Sequence, residues 1–488
     1  MSHSRLRAFS APSREALPER VLQFGTGAFL RGLPDALVHE TNSTAAPMGR
    51  VVMVGSTGSG RAAALGAQDG LYTLCVRGLL DGQPVDEAHV VGSVSRALAA
   101  SSDWDEVLEV ARSPELRWVV SNTTEVGIVD DPDDRRELRP PRSFPGKLAA
   151  VLAARAEALD YAPEAGLIVL PCELIEGNGE RLRASVRAHG TRWKLGPRFL
   201  RWLDAHVVFL NTLVDRIVPG TPDDADALFD RLGYADELLT VAEPFRFWAI
   251  EGPASLAEQL PLARLDGVVL TDDLAPYRER KVRVLNGGHT STVPVALLCG
   301  LDTVAEAVQD ETVGRFVRHV ILDEIVPSLD IDAEMATTFA HDVLDRFGNP
   351  FVRHALLDIA FQQTTKLGVR VAPSISSYLE KRGEVPPLLA FSVAAFLAVT
   401  RPGVLPPDCP VDDAADAWRA RWAGVDANDA DALRAFARAA VGLWRLDADP
   451  AVADAVAEAL VAIQRDGCRA ALAAQLRHAR SPASEPSA

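Results

Sequence analysis

The feature that most constrains this fold is a change of rhythm near residue 270. Before it, short apolar runs alternate with helical stretches. Residues 20–24, 51–54, 117–120 and 166–170 read as buried strands, while 28–39, 103–111, 145–159 and 179–189 read as helices. Such strand-then-helix alternation predicts a parallel sheet covered by helices on both faces. Two further β-like runs, 71–77 and 89–94, fit a hairpin or extra strands. After residue 270 strand signals nearly vanish. Helical stretches follow at 281–300, 304–309, 312–325, 350–365, 385–397, 414–423, 432–443 and 451–474, with a proline-rich loop at 401–412 and a polar tail at 481–488. The expected fold is therefore an α/β Rossmann-type domain over residues 1–270, followed by a mostly α-helical domain over 271–488.

A chain of 488 residues has room for two sizeable cores. Its 50 Lys+Arg against 67 Asp+Glu leave a net charge of −17. A surface this acidic repels a phosphate backbone, so nucleic acid is not an expected partner. The longest apolar stretch, 387–399, is shorter than the ~20 residues a membrane helix needs, and residues 1–18 lack the apolar core of a secretory signal. The five cysteines (Cys75, Cys172, Cys299, Cys409, Cys468) are scattered and form no CxxC pair. They read as reduced thiols, which places the protein in the cytoplasm, with no metal site expected. The residues assign no oligomeric state.

Gly25-Thr26-Gly27 follows the first strand and opens a helix. Two glycines allow a tight turn and a close approach to a pyrophosphate resting on helix N–H groups. The third glycine of GxGxxG would be residue 30, which is Leu30, so the turn alone also fits a ligand-free strand-to-helix connection. The second strand runs into Ser56-Thr57-Gly58-Ser59-Gly60-Arg61, with no acid to hold ribose hydroxyls. Small hydroxyls with Arg61 suit a 2′-phosphate, and an incidental flexible loop fits equally, so NAD and NADP both stay open.

The richest segment is Lys281 to His289, which reads Lys-Val-Arg-Val-Leu-Asn-Gly-Gly-His. On an α-helix Asn286 and His289 share a face, and Lys281 lies roughly 80° from His289 at ~100° per residue. The three polar groups can point into one cleft. Burial disfavours an ammonium, and a lysine so tuned can exchange a proton with a hydroxyl while hydride leaves the same carbon. Asn286 and His289 are candidate donors to that oxygen, as in an oxyanion site. Taken singly, each residue reads equally as a surface charge or a satisfied polar group.

The segment resembles the KxxxxNxxH signature of the polyol-specific long-chain dehydrogenases, the mannitol dehydrogenase family. Gly25-Thr26-Gly27-Ala28-Phe29-Leu30-Arg31 is similar to that family's GxGxFxR turn, which accounts for the missing third glycine. Val214-Asp215-Arg216-Ile217 resembles its VDRI motif, and Asn122-Thr123-Thr124-Glu125 its cofactor-side segment. Runs at 171–175, 285–296, 300–304 and 346–350 are similar to the branch that reduces keto-uronates such as tagaturonate.

The resemblance implies a dehydrogenase that interconverts a keto-uronate with its aldonate, tagaturonate with altronate, using NAD by family habit with NADP possible. Fructuronate, mannitol or another polyol is the alternative substrate, and a catalytically silent nucleotide-binding protein the alternative class. It implies Lys281 as acid/base, Asn286 and His289 on the reacting oxygen, and Gly25, Thr26, Gly27, Ala28, Phe29, Asn122, Thr123 and Glu125 on the cofactor. It implies Lys366 and Arg370 at the substrate, where Arg could grip a carboxylate through two bonds. Arg31 is expected on the substrate too, in a basic cleft with Arg61, Lys281, Lys366 and Arg370. Mannitol dehydrogenases and fructuronate reductases carry an asparagine where this chain has Leu174, which cannot donate a hydrogen bond; the tagaturonate-reducing branch shares this departure. Asn178 is the candidate replacement, or else a helix cap.

Overall fold

The computed structural model describes residues 4–6, 17–55, 60–123, 127–222, 224–405 and 414–478. The chain divides into two compact units. One comprises Met1–Arg77 and Val85–Leu274, the other Ala275–Ala488 with Gly78–Pro84.

The first unit is built on six parallel strands: β1 (Glu19–Phe24), β2 (Arg50–Gly55), β3 (Val94–Ala99), β4 (Trp118–Ser121), β5 (Ile168–Pro171) and β6 (Val208–Phe209). Their order across the sheet is β3-β2-β1-β4-β5-β6, the Rossmann arrangement. Both faces are covered, so the strands are mostly apolar, with Gln23 of β1 a buried polar exception. Leu22, Phe24, Val52, Val54, Val119 and Val169 pack on one side, with residues of helices α3 (Trp104–Arg112), α4 (Phe144–Ala158) and α5 (Asn178–Arg192). Val21, Val51, Met53, Trp118 and Leu170 pack on the other, with residues of α1 (Ala28–Gly32) and α2 (Pro34–Thr41).

The helix expected over 28–39 is two helices. Pro34 has no N–H to donate and restricts the residue before it, and Leu33 sits between them at φ −130°, ψ −75°. Two three-stranded sheets lie beside the main one: the first was not expected from the sequence, and the second includes the expected β-like run at 71–77 and part of that at 89–94. Thr212–Asp215, Phe247–Glu251 and Val268–Thr271 form one. Tyr72–Leu80 and Gln83–Val91 form the other with Thr240–Ala242.

The second unit is helical. Its most apolar helix, α12 (Pro387–Val399), is buried from Leu388 to Val399, which explains its lack of amphipathic periodicity. Among the described residues no helix is long and apolar enough to cross a membrane. The stretch expected as one helix over 451–474 is broken by Gly467 at φ +80°, giving α13 (Pro450–Asp466) and α14 (Cys468–His478). The 350–365 stretch is helical only at Leu356–Ala360 and at the start of α10 (Gln363–Lys366), because Gln362 takes φ +58°. Helix α9 (Ala333–Phe347) was not anticipated from the sequence.

Candidate functional site

The ends of β1, β2, β4 and β5 are level. Phe24 pairs with Val54 and with Ser121, and Ser121 with Pro171. The residues that follow therefore emerge together where the strand order reverses, the place where parallel sheets bind ligands. Gly25 leaves β1 at φ +123° and donates its N–H to Val54 O at 2.9 Å. A Cβ there would lie 2.6 Å from Leu30 Cδ1, so only glycine fits. Gly27 caps α1, and a Cβ on it would meet nothing within 4 Å. Open space thus faces the start of the helix, as a bound pyrophosphate would require. Ala28 and Phe29 follow, both half-buried.

Asn122 and Thr123 are held by residues at the end of β5. Asn122 Nδ2 donates to Cys172 O at 2.7 Å. Thr123 donates its backbone N–H and its hydroxyl to Glu173 Oε1, each at 3.0 Å, and Ser121 Oγ donates to Glu173 Oε2 at 3.1 Å. Burial pushes the Glu173 carboxyl upward, against the pull of the Thr123 and Ser121 hydrogen bonds. Glu173 therefore anchors this loop. Glu125 and the 56–59 loop lie outside the described residues. Arg61 is exposed on a helix, Gly60–Ala67.

Arg31, expected at the substrate, is instead buried within the first unit at 5% exposure. Its Nη1 donates to Thr26 O at 2.6 Å and its Nε to Thr240 Oγ1 at 3.0 Å. Arg216 of the VDRI motif is also committed internally, to Gly32 O at the end of α1 and twice to Glu243 O. Asn178 is buried and fully used: its Nδ2 donates to Pro171 O, Glu173 O and Thr212 O, and its Oδ1 accepts from Gly179 and Thr212 N–H. It ties β5 to the neighbouring sheet and leaves no donor for a ligand. Leu174 is 60% exposed.

In the second unit the helix expected over 281–300 changes pitch. α6 (Ala275–Arg280) runs into a π-helical segment, Lys281–Asn286, which runs into α7 (Gly287–Leu298). Two more π segments, Val320–Ile325 and Leu367–Val371, pack against it. Such turns are rare and concentrate at functional sites. Lys281 and Asn286 occupy the first and last positions of theirs, both half-buried. Lys366 and Arg370 flank and enter the third.

His289 sits on the first turn of α7, 8% exposed. Its ring meets Phe347 edge-on at 4.0 Å between centroids and His354 at 4.9 Å. Burial holds its pKa well below the usual histidine value, and the charges of His354, Arg346, Arg370 and Lys366 add to the effect. It is thus a neutral imidazole, with one nitrogen donating and the other accepting. Arg370 Nη1 reaches Thr290 Oγ1 at 3.4 Å, and Lys366 Nζ donates to Ile359 O at 2.7 Å. The two glycines between Asn286 and His289 have steric reasons. A Cβ on Gly287 would lie 3.2 Å from Arg370 O, and one on Gly288 would lie 3.1 Å from Ile321 Cδ1. The structure therefore brings His289, Lys366 and Arg370 together and adds His354 and Arg346. His354 carried no signal in the sequence, and Arg346 only its place in the 346–350 run.

Comparison with known proteins identifies the family. Residues 19–264 match the model of the mannitol dehydrogenase Rossmann domain, and residues 273–404 that of the mannitol dehydrogenase C-terminal domain. The chain belongs to the mannitol dehydrogenase family. It is 42% identical to an altronate oxidoreductase of Pectobacterium carotovorum over 93% of this chain and 96% of that one. It is 44% identical to the Bacillus subtilis altronate oxidoreductase over 78% and 79%. Among solved structures of the mannitol dehydrogenase fold, D-sorbitol dehydrogenase superposes with a TM-score of 0.79 at 22% identity, covering 97% of this chain and 100% of that one. The mannitol 2-dehydrogenase of Pseudomonas fluorescens gives 0.64 at 23% identity, covering 98% of each.

Proposed function

We propose that the chain is an NAD-dependent sugar-acid dehydrogenase that interconverts tagaturonate and altronate, with Lys281 exchanging the proton on the reacting oxygen. The observation that carries the substrate is the end-to-end likeness to altronate oxidoreductases at 42% identity. Gly25, Thr26, Gly27, Ala28, Phe29, Asn122 and Thr123 would hold NAD; the open space before Gly27 and the level strand ends suit it. When bound, the nicotinamide supplies or takes the hydride.

The remaining work falls to residues of the second unit. In reduction Lys281 gives its proton to the forming alkoxide; in oxidation it takes the proton back. Asn286 and the neutral His289 donate hydrogen bonds to that oxygen and favour the state in which it carries charge. The cations around His289 suit a substrate with a carboxylate, with Arg370 and Lys366 as its holders. This arrangement assigns no donor to position 174.

A steady-state panel of tagaturonate, fructuronate and fructose with NADH and NADPH tests the reading. The highest kcat/KM is expected for tagaturonate with NADH. A wide preference for fructose would overturn the sugar-acid assignment. Cofactor binding without turnover on any keto-sugar would favour a silent nucleotide-binding protein.

A further inference from the structure

We propose that Gln23 and Arg31 are positioning residues that orient the glycine turn for the cofactor's phosphates, an inference that rests on the NAD reading above. Each peptide unit is planar, with its C=O and the following N–H pointing in opposite directions. Whatever holds a carbonyl therefore aims the next amide the other way. Gln23 Nε2 donates to Gly25 O at 3.3 Å, and Arg31 Nη1 donates to Thr26 O at 2.6 Å. Both side chains are buried, at 1% and 5% exposure. They pull the carbonyls of Gly25 and Thr26 toward the protein interior and so turn the N–H groups of Thr26 and Gly27 away from it. The space in front of Gly27 is open.

The two holders are themselves fixed. Gln23 Nε2 also donates to Asp35 Oδ2 at 3.2 Å, and Gln23 shares its face of the sheet with α1 and α2. Arg31 Nε donates to Thr240 Oγ1 at 3.0 Å, its guanidinium lies 5.9 Å from the Tyr72 ring centroid, and Tyr72 OH donates back to Arg31 O at 2.7 Å. A lysine at position 31 would keep the charge but lose the planar fork that spans Thr26 O and Thr240 Oγ1. This separates orientation of the turn from simple attraction of phosphate by a cation.

The test is steady-state kinetics, NADH titration and thermal melting on Gln23→Met, Arg31→Lys and the milder Thr240→Val, which removes the anchor of Arg31 together with the Thr240 Oγ1 bond to Leu238 O. A positioning role predicts an NADH KM about tenfold higher for the first two and about twofold for the third, the scale of one hydrogen bond. It also predicts kcat at saturating NADH and the keto-acid KM within about twofold of wild type. Should the first two variants not fold, Thr240→Val carries the test alone. Folded variants with an unchanged NADH KM would overturn the proposal, as would an Arg31→Lys variant equal to wild type. Wild-type protein that binds no NADH at all would instead refute the cofactor reading beneath it.

Discussion

Lys281 and Asn286 stand at the two ends of a single π-helical turn. Hydrogen bonding from i to i+5 brings positions five apart onto one face, whereas in an α-helix they are about 140° apart. The turn therefore puts both residues on one face, as the proposed roles of Lys281 and Asn286 on one oxygen require. Deleting Val282 should return the segment to α-helical pitch with Lys281 four positions before Asn286, about 40° apart and still on one face. The expected outcome is an unchanged circular dichroism spectrum with a kcat well above that of Lys281→Ala. Activity as low as in Lys281→Ala would show that the pair's shared face is not enough and that the π turn itself is needed.

That turn also marks the limit of what the residues reveal unaided. The strands around β1 and the Gly25 turn were legible because buried parallel strands are apolar runs and a positive φ demands glycine. The π segments were not. Lys281–Asn286 contains nothing that forbids an α-helix, and the extra residue is accommodated by packing against Val320–Ile325 and Leu367–Val371. The spacing of Lys281, Asn286 and His289 is visible in the sequence, but their rotation follows a π pitch that the sequence does not show. Arg31 reads as a substrate-side cation because sequence does not show that Thr26 O and Thr240 Oγ1 await it inside. The strands of the small sheet at 212–271 are no shorter than β4 and β5, but they mix polar residues such as Thr212, Asp215, Glu251 and Thr271 among apolar ones and so do not read as buried runs.

His289 should stay neutral across the working pH range. Its folded pKa lies well below 6.5, so the unfolded chain binds the extra proton first, and the histidine lowers stability as pH falls below about 6.5. Thermal melting of His289→Asn should lose less Tm than wild type between pH 7 and pH 5. The pH profile of kcat/KM should show no limb near 6.5 from this residue.

Two buried carboxyls act in the opposite sense. Glu324 is pushed up to about 8 by burial while accepting the N–H groups of Leu388 and Leu389 at 2.8 and 2.6 Å, and Asp35 is pushed up to about 7. Each prefers its proton in the folded state. Their contribution is present below the unfolded values near 4 and is lost as pH rises through 7–8. Glu324→Gln should flatten the fall in Tm between pH 5 and 8.5. Glu324→Ala should cost about 1–3 kcal/mol at pH 5, because two buried donors at the start of α12 lose their acceptor. Chemical denaturation at both pH values checks this.

Gly287→Ala places a methyl 3.2 Å from Arg370 O. The π segment that carries Arg370 must then move by a few tenths of an ångström. We expect the keto-acid KM to rise about tenfold while the NADH KM is unchanged, since loss of one charged contact is worth about 1.5–3 kcal/mol at most. Equal changes in both constants would contradict the placement of Arg370 at the substrate.

The most direct test of the account compares tagaturonate reduction by wild-type protein and Lys281→Ala at saturating NADH, with NADH binding measured separately. General acid–base catalysis contributes about 10²–10⁴ in rate. The account predicts a kcat loss of that size with NADH affinity retained. A Lys281→Ala variant that turns over tagaturonate at near the wild-type rate would contradict it.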